Sequence, residues 1–183
     1  MRVAVVDYGA GNTRSVRAAL ASIGLASELT GDPDVIADAD RVVLPGVGSA
    51  RSAMARLRAT GAADALARRH ALGGPILGIC LGLQLALAAS EEDGGVEGLG
   101  LADGVARRVS LVRVPRLGWA DVEPWGETYY FAHSFAADSP DAVATSEGLV
   151  AAVANGSFLG VQFHPEKSGS AGRVFLERCL TAA

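Results

Sequence analysis

Lysine is all but missing from this chain. Its 16 basic residues are 15 arginines and one lysine, Lys167. A compositional bias accounts for the arginines. Lysine kept at a single position points to a place where a compact, flexible charge serves better than a planar fork, chance retention being the bland alternative. Cysteine is almost as scarce. Two residues, Cys80 and Cys179, exclude a disulfide framework and make the cytoplasm the expected setting. No apolar run is long enough to span a bilayer, and the opening Met1–Asp7 carries no cleavage pattern, so neither a membrane span nor a signal peptide is expected. A net charge of −4 with no basic patch argues against nucleic acid as the main partner. Repeats, linkers and low-complexity tracts are also missing. The 183 residues therefore read as one domain, 1–183, with a full hydrophobic core.

Half the residues are hydrophobic, and their spacing changes along the chain. In the first half, short apolar runs at Arg2–Val6, Ala26–Leu29, Arg41–Leu44 and Ile76–Ile79 read as buried strands. Helical spacing separates them at Thr13–Ile23, from Asp32-Pro33 to Asp38, and at Ala50–Ala59 and Ala62–Leu72. Asn12 is placed to cap the first helix and Gly24 to stop it. Such alternation predicts an α/β fold with a mainly parallel central sheet flanked by helices. From Gly104 onward short β segments dominate: Val105–Val109, Ala120–Glu123, Tyr129–Ala132, Ala142–Thr145, Leu149–Val153 and Phe158–Phe163. Asn155-Gly156 predicts a hairpin, and the last helix, Ala171–Leu180, is expected to turn Val174, Phe175 and Leu176 inward. The second half is thus an antiparallel β extension.

The chemistry centres on Gly78-Ile79-Cys80-Leu81-Gly82. A buried strand runs into Cys80 and a helical run, Leu81 to Ala89, leaves it. That is the layout of a nucleophile elbow with cysteine in place of serine; glycines on both sides let the tight turn form. A sulfur at a helix N-terminus favours the thiolate. The bland alternative is a buried structural cysteine.

A nucleophilic cysteine needs a base, and the chain offers three histidines. His70 lies among arginines at a helix end and is expected to face solvent. His133 ends a strand and could line a pocket. His164 closes an apolar strand and precedes Pro165, which keeps it extended, so Glu166 at i+2 falls on the same side and can orient its ring. Alone, His-Pro-Glu could be a turn at a strand end. The loop Pro45-Gly46-Val47-Gly48-Ser49 follows another strand of the same sheet, where its backbone N–H groups can meet an oxyanion. It lacks the Gly-Lys-Ser/Thr continuation of a phosphate-binding loop.

Taken together, Gly78-Ile79-Cys80-Leu81-Gly82-Leu83-Gln84, Pro45–Gly48 and His164-Pro165-Glu166-Lys167-Ser168 resemble the class I (triad) glutamine amidotransferases. Within that family, Asp7-Tyr8-Gly9-Ala10-Gly11-Asn12 and Gly118-Trp119 are similar to glutaminase subunits of imidazole glycerol phosphate synthase. The resemblance implies a flavodoxin-like sheet and a catalytic set of Cys80, His164 and Glu166. It further implies oxyanion donors at Val47 and Leu81, with Gly46 and Gly48 shaping the loop, and glutamine contacts from Gln84, Glu92, Ser134 and Phe135. Cys80 would form a thioester with glutamine and release glutamate and ammonia. The partner implied is a synthase (cyclase) subunit, in a heterodimer, that uses the ammonia to make imidazole glycerol phosphate and aminoimidazole carboxamide ribotide. Asn12, His133, Trp119 and Lys167 would line that boundary or the ammonia passage, and no metal or organic cofactor is implied. Relatives of this kind are nearly idle alone, which implies that the Gly46–Gly48 loop turns over when the partner binds.

Two features depart from the family. Pro115-Arg116-Leu117-Gly118-Trp119-Ala120 lacks the histidine and asparagine usual around Gly-Trp, and the stretch between Leu111 and Leu149 is short. Competing readings are the glutaminase of another synthase, of the pyridoxal phosphate type, a cysteine hydrolase of γ-glutamyl peptides, and a subunit that binds a partner without chemistry.

Overall fold

The computed structural model describes residues 1–9, 12–110 and 113–181. Ala10 and Gly11 of the opening loop, and Leu111 at the edge of the shortened stretch, lie outside the described residues. Strands β1 (Val3–Val6), β2 (Ser27–Thr30), β3 (Arg41–Leu44) and β4 (Ile76–Ile79) alternate with helices α1 (Thr13–Ser22), α2 (Pro33–Asp38), α3 (Ala50–Ala59) and α4 (Ala62–Ala71). After β4 come α5 (Leu81–Ala86), β5 (Ala89–Ser90), β6 (Val96–Glu97), β7 (Val105–Arg108), β8 (Arg116–Val122), β9 (Glu127–His133) and β10 (Phe135–Asp138). Strands β11 (Ala142–Ser146), β12 (Leu149–Asn155) and β13 (Phe158–Val161) and helix α6 (Gly169–Thr181) complete the described chain.

The central sheet has the order β11-β12-β13-β4-β3-β1-β2. From β13 to β2 it is parallel, while β12 and β11 add an antiparallel edge. Every residue of β1 and β4 is buried, as both faces of a parallel sheet are covered. The pleat splits the strands between two cores. Ala4, Val6, Val42, Leu44 and Ile76 pack with α2 to α5 on one face. Val3, Val5, Val43, Leu77 and Ile79 pack with α1, α6 and the aromatic rings of Tyr129, Phe131 and Phe163 on the other. Helices on both faces leave the carboxyl ends of β1, β3, β4 and β13 as the open edge, where ligands of such sheets collect.

Several elements differ from the sequence-based expectation. Helix α5 ends at Ala86, short of Ala89. Its last carbonyls are taken by an incoming loop, with Leu99 donating to Leu85 and Leu101 to Ala86 at 2.8 Å each. Val174 is 50 % exposed; the inward stripe of α6 is Gly172, Phe175, Leu176 and Leu180. The hairpin turn is Gly156-Ser157, because Asn155 still pairs with Phe158. Strand β13 stops at Val161, since His164 leaves the sheet to donate its backbone N–H to Tyr130 of β9 at 2.8 Å. Strands β8 and β9 are longer than their apolar cores, and the short strands β5, β6 and β10 were not anticipated. No helix among the described residues is long and apolar enough to cross a membrane.

Candidate active site

Strand β4 delivers Cys80 at φ 54°, ψ −108°, a left-handed conformation that a non-glycine residue holds at a cost of about 1–3 kcal/mol. The surrounding chain enforces it. Cys80 donates its N–H to Val161 at 2.7 Å, and Leu83 donates to the Cys80 carbonyl at 3.0 Å, closing the first turn of α5. Gly82 is required sterically, because a Cβ there would lie 1.9 Å from the Leu44 carbonyl oxygen. The backbone N–H of Leu81 stands in the first turn of the helix, where no carbonyl of the same helix reaches it.

Past the end of the neighbouring strand, β13, the chain runs through Gln162 and Phe163 to His164, which is extended at φ −103°, ψ 91°, as the following Pro165 demands. Its Nδ1 lies 2.8 Å from Glu166 Oε1, and both side chains are buried. The carboxylate can only accept there, so Nδ1 carries the hydrogen and Nε2 is left for sulfur. Asn12 Nδ2 also donates to Glu166 Oε1, at 2.5 Å. Burial works against a charged His164 ring, but hydrogen bonds and negative charge from Cys80 and Glu166 outweigh it and raise its pKa to about 9. Ser168, itself buried, donates to the His164 carbonyl at 2.7 Å and accepts from Tyr130 N at 3.0 Å, pinning the turn.

A cavity of about 290 Å³ opens on the sulfur. Val47, Gly48 and Leu81 line it, as do Gln84, Glu92, Ser134, Phe135, His133, His164 and Lys167. Gly46 lies behind the lining. A Cβ on it would come within 2.6 Å of Leu81 Cβ and 2.7 Å of Gly82 N, so only glycine lets the loop press against the start of α5. Tyr8 donates its hydroxyl to the Pro45 carbonyl at 2.7 Å and tethers the loop to the end of β1. Burial, then the charge of Cys80, raises the Tyr8 pKa, so the hydroxyl stays protonated. Glu92 accepts from Ala50 N at 2.9 Å, and burial raises its pKa.

The residues expected at the boundary are placed differently from one another. Trp119, 58 % exposed, shares the outer side of β8 with Leu117, 64 % exposed, and packs edge-on against Tyr130. Lys167 is exposed with Nζ 5.9 Å from the Tyr130 ring centroid. His133 is buried, donates Nδ1–H to the Phe135 carbonyl at 2.9 Å, and is held neutral by burial with a pKa lowered to about 4. Asn12 sits at the N-cap of α1 but makes no capping hydrogen bond; its amide is spent on Glu166. Arg116, one of the departures, is buried over the Phe131 ring and bonds Ser146 and Glu147 at 2.8 Å. His70 does not simply face solvent, since its Nδ1 meets Ser157 Oγ at 3.2 Å.

Two contributors escaped the sequence reading. One is the amide of Asn12 on the carboxylate. The other is Gln162, whose Nε2 lies 3.6 Å from Cys80 Sγ. A signal for it existed: an amide inside an apolar strand, two residues before His164 and so on the same side of an extended chain.

The family described as glutamine amidotransferase class-I matches residues 4–183. This chain belongs to the class-I glutamine amidotransferases. Imidazole glycerol phosphate synthase subunit HisH of Exiguobacterium sibiricum is 42 % identical to this amidotransferase over 96 % of this chain and 92 % of the relative. The subunit of the same name from Carboxydothermus hydrogenoformans is 44 % identical over 94 % and 96 %. Imidazole glycerol phosphate synthase hisHF, chloroplastic, of Arabidopsis thaliana is 38 % identical over 97 % of this chain but only 34 % of its own length. A solved glutamine amidotransferase shares the fold with a TM-score of 0.80 at 21 % identity, covering 96 % of this amidotransferase and 97 % of that chain.

Proposed function

We propose that this chain, as one amidotransferase domain spanning residues 1–183, is the glutaminase subunit of an imidazole glycerol phosphate synthase in histidine biosynthesis. Its Cys80 thiolate attacks the side-chain amide carbon of glutamine, and the oxyanion that forms is received by the backbone N–H groups of Val47 and Leu81. His164, protonated and oriented by Glu166, gives its proton to the departing nitrogen. Ammonia leaves and a thioester remains. His164 then takes a proton from water as the water attacks, and collapse of the second tetrahedral species releases glutamate and restores the sulfur. Gln84, Glu92, Ser134 and Phe135 surround the amino-acid end of the substrate, where a carboxylate suits its ammonium.

A separate cyclase subunit consumes the ammonia. The exposed pair Leu117 and Trp119, with Lys167 at the cavity mouth, supplies an apolar and cationic face for it. Such a subunit works in the cytoplasm, where its substrates are made. The observation carrying this reading is the buried Cys80–His164–Glu166 line on a cavity, in a chain more than 40 % identical to named synthase subunits. Those names also weigh against a pyridoxal phosphate type of glutaminase. Mixing the chain with a cyclase subunit and its nucleotide substrate should yield glutamate and imidazole product in equal amounts. Glutamate formed with no imidazole product would leave a glutaminase of some other synthase.

A further inference from the structure

Gln162 is 0 % exposed and has no place in the triad, yet its surroundings fix which way round its amide sits. The backbone carbonyl of Phe135 can only accept a hydrogen bond. The end of Gln84 that lies 2.8 Å from it must therefore be the amide nitrogen, Nε2. That nitrogen also lies 3.0 Å from the Gln162 side chain. Facing a donor, Gln162 must present its carbonyl oxygen, which turns its own NH₂ the other way, toward Cys80 Sγ at 3.6 Å. An isolated glutamine could be flipped without consequence. Here the Phe135 carbonyl sets Gln84, and Gln84 sets Gln162.

We propose that Gln162 is a positioning residue that holds an N–H on the Cys80 sulfur, with its polarity dictated through Gln84 by the Phe135 carbonyl. A donor on sulfur favours thiolate over thiol, and an acceptor would do the reverse. The Ala132 carbonyl, 3.9 Å from Sγ, is such an acceptor and receives the S–H of the thiol form. The Gln162 N–H has the opposite effect on the sulfur. The titratable groups that act on the sulfur are Tyr8, from the end of β1, and His164, from the segment after β13; Glu92, His133 and Lys167 line the same cavity. All five are unchanged in the variants below. The relay rests on the glutaminase reading only for the use made of the thiolate. Because Phe135 also lines the candidate glutamine pocket, the same hydrogen-bond line ties the pocket wall to the nucleophile.

The test is the rate of Cys80 alkylation by iodoacetamide against pH, on the isolated chain without glutamine, read on the Cys80 peptide by mass spectrometry so that Cys179 does not contribute. Gln162→Leu should move the midpoint of that profile upward by about one pH unit, which slows alkylation below the midpoint roughly tenfold. Gln162→Glu, which offers sulfur an acceptor and a negative charge, should move it at least as far. Gln84→Met, which lets the Gln162 amide turn over, should move it upward by less. An unchanged or lowered midpoint in a Gln162→Leu protein with wild-type Tm would overturn the proposal. Should Gln162→Leu fail to fold, Gln84→Met decides by the same criterion. Glutamate release by the wild-type chain with its cyclase is measured apart from this, so the relay and the glutaminase reading can each fail alone.

Discussion

Asn12 stands at the start of a helix, where its residue type favours a cap, and a carboxylate 154 positions away takes its side chain instead. A hydrogen bond to a charged group is worth about 1.5–3 kcal/mol, more than a neutral cap, so the trade is favourable. Asn12→Ala should leave the fold intact and lower kcat/KM roughly tenfold, with a broadened pH profile as Glu166 loses the Asn12 amide. A wild-type profile would show that His164 needs no second anchor behind it. The histidines also set how stability follows pH. His164 binds its proton more tightly folded than unfolded, so its stabilisation is complete below pH 6.5 and fades as pH rises through about 9. His133 is the opposite case: its contribution is complete above pH 6.5 and is lost as pH falls through about 4. Thermal midpoints against pH should therefore peak near neutrality, and His133→Leu should flatten the acid limb only. At this scale the sequence showed residue types and short-range spacing. Cys80, His164 and Glu166 were legible because a tight turn, a proline and an i+2 relation place them locally. The Asn12 amide was not, because its partner lies on a distant segment, and for Gln162 the i+2 relation to His164 gave its side but not its partners.

Elements were legible wherever one physical cause dominates. Buried four-residue strands have few ways to be read: β1 and β4, buried throughout, and β3, buried but for Arg41, sit where their apolar runs put them. The half-buried hairpin of β8 and β9 was harder. Only its interior is apolar, and Gly118 at φ 135° interrupts the strand signal. Helix α5 was overextended because an apolar run of leucine and alanine carries no stop signal; the stop comes from the loop that takes its carbonyls. The elbow is the most constrained element. Gly82→Ala should cost about 2–3 kcal/mol in denaturant unfolding and abolish activity with it, since the new Cβ meets backbone that cannot move without shifting β3. Gly48→Ala meets nothing within 4 Å and is strained only by its φ of 100°, so its loss should appear in kcat far more than in Tm. Equal effects of the two substitutions on Tm would show that the loop is as rigid as the elbow.

For the molecule as a whole, alternating strands and helices announced the parallel sheet, and the sheet's open edge announced where a site would form. The face proposed for the partner was legible only through resemblance, because an exposed Leu117 or Trp119 looks like any surface residue until the fold sets the two side by side. If that face docks a cyclase, Trp119→Ala should weaken the complex by about 2 kcal/mol, roughly thirtyfold in Kd, as buried aromatic anchors do, with no change in Tm. Lys167→Arg should lower the yield of imidazole product per glutamate released, because a planar guanidinium cannot replace a point charge at the cavity mouth; full coupling would refute a role for the single lysine. The most direct test is glutamate release from glutamine by the chain alone and with a cyclase subunit and its nucleotide, for wild type and Cys80→Ala. The expected result is little turnover by the chain alone, strong turnover in the complex, and a loss of at least about 10⁴-fold in Cys80→Ala. Glutamate release that survives the loss of the Cys80 sulfur would contradict it.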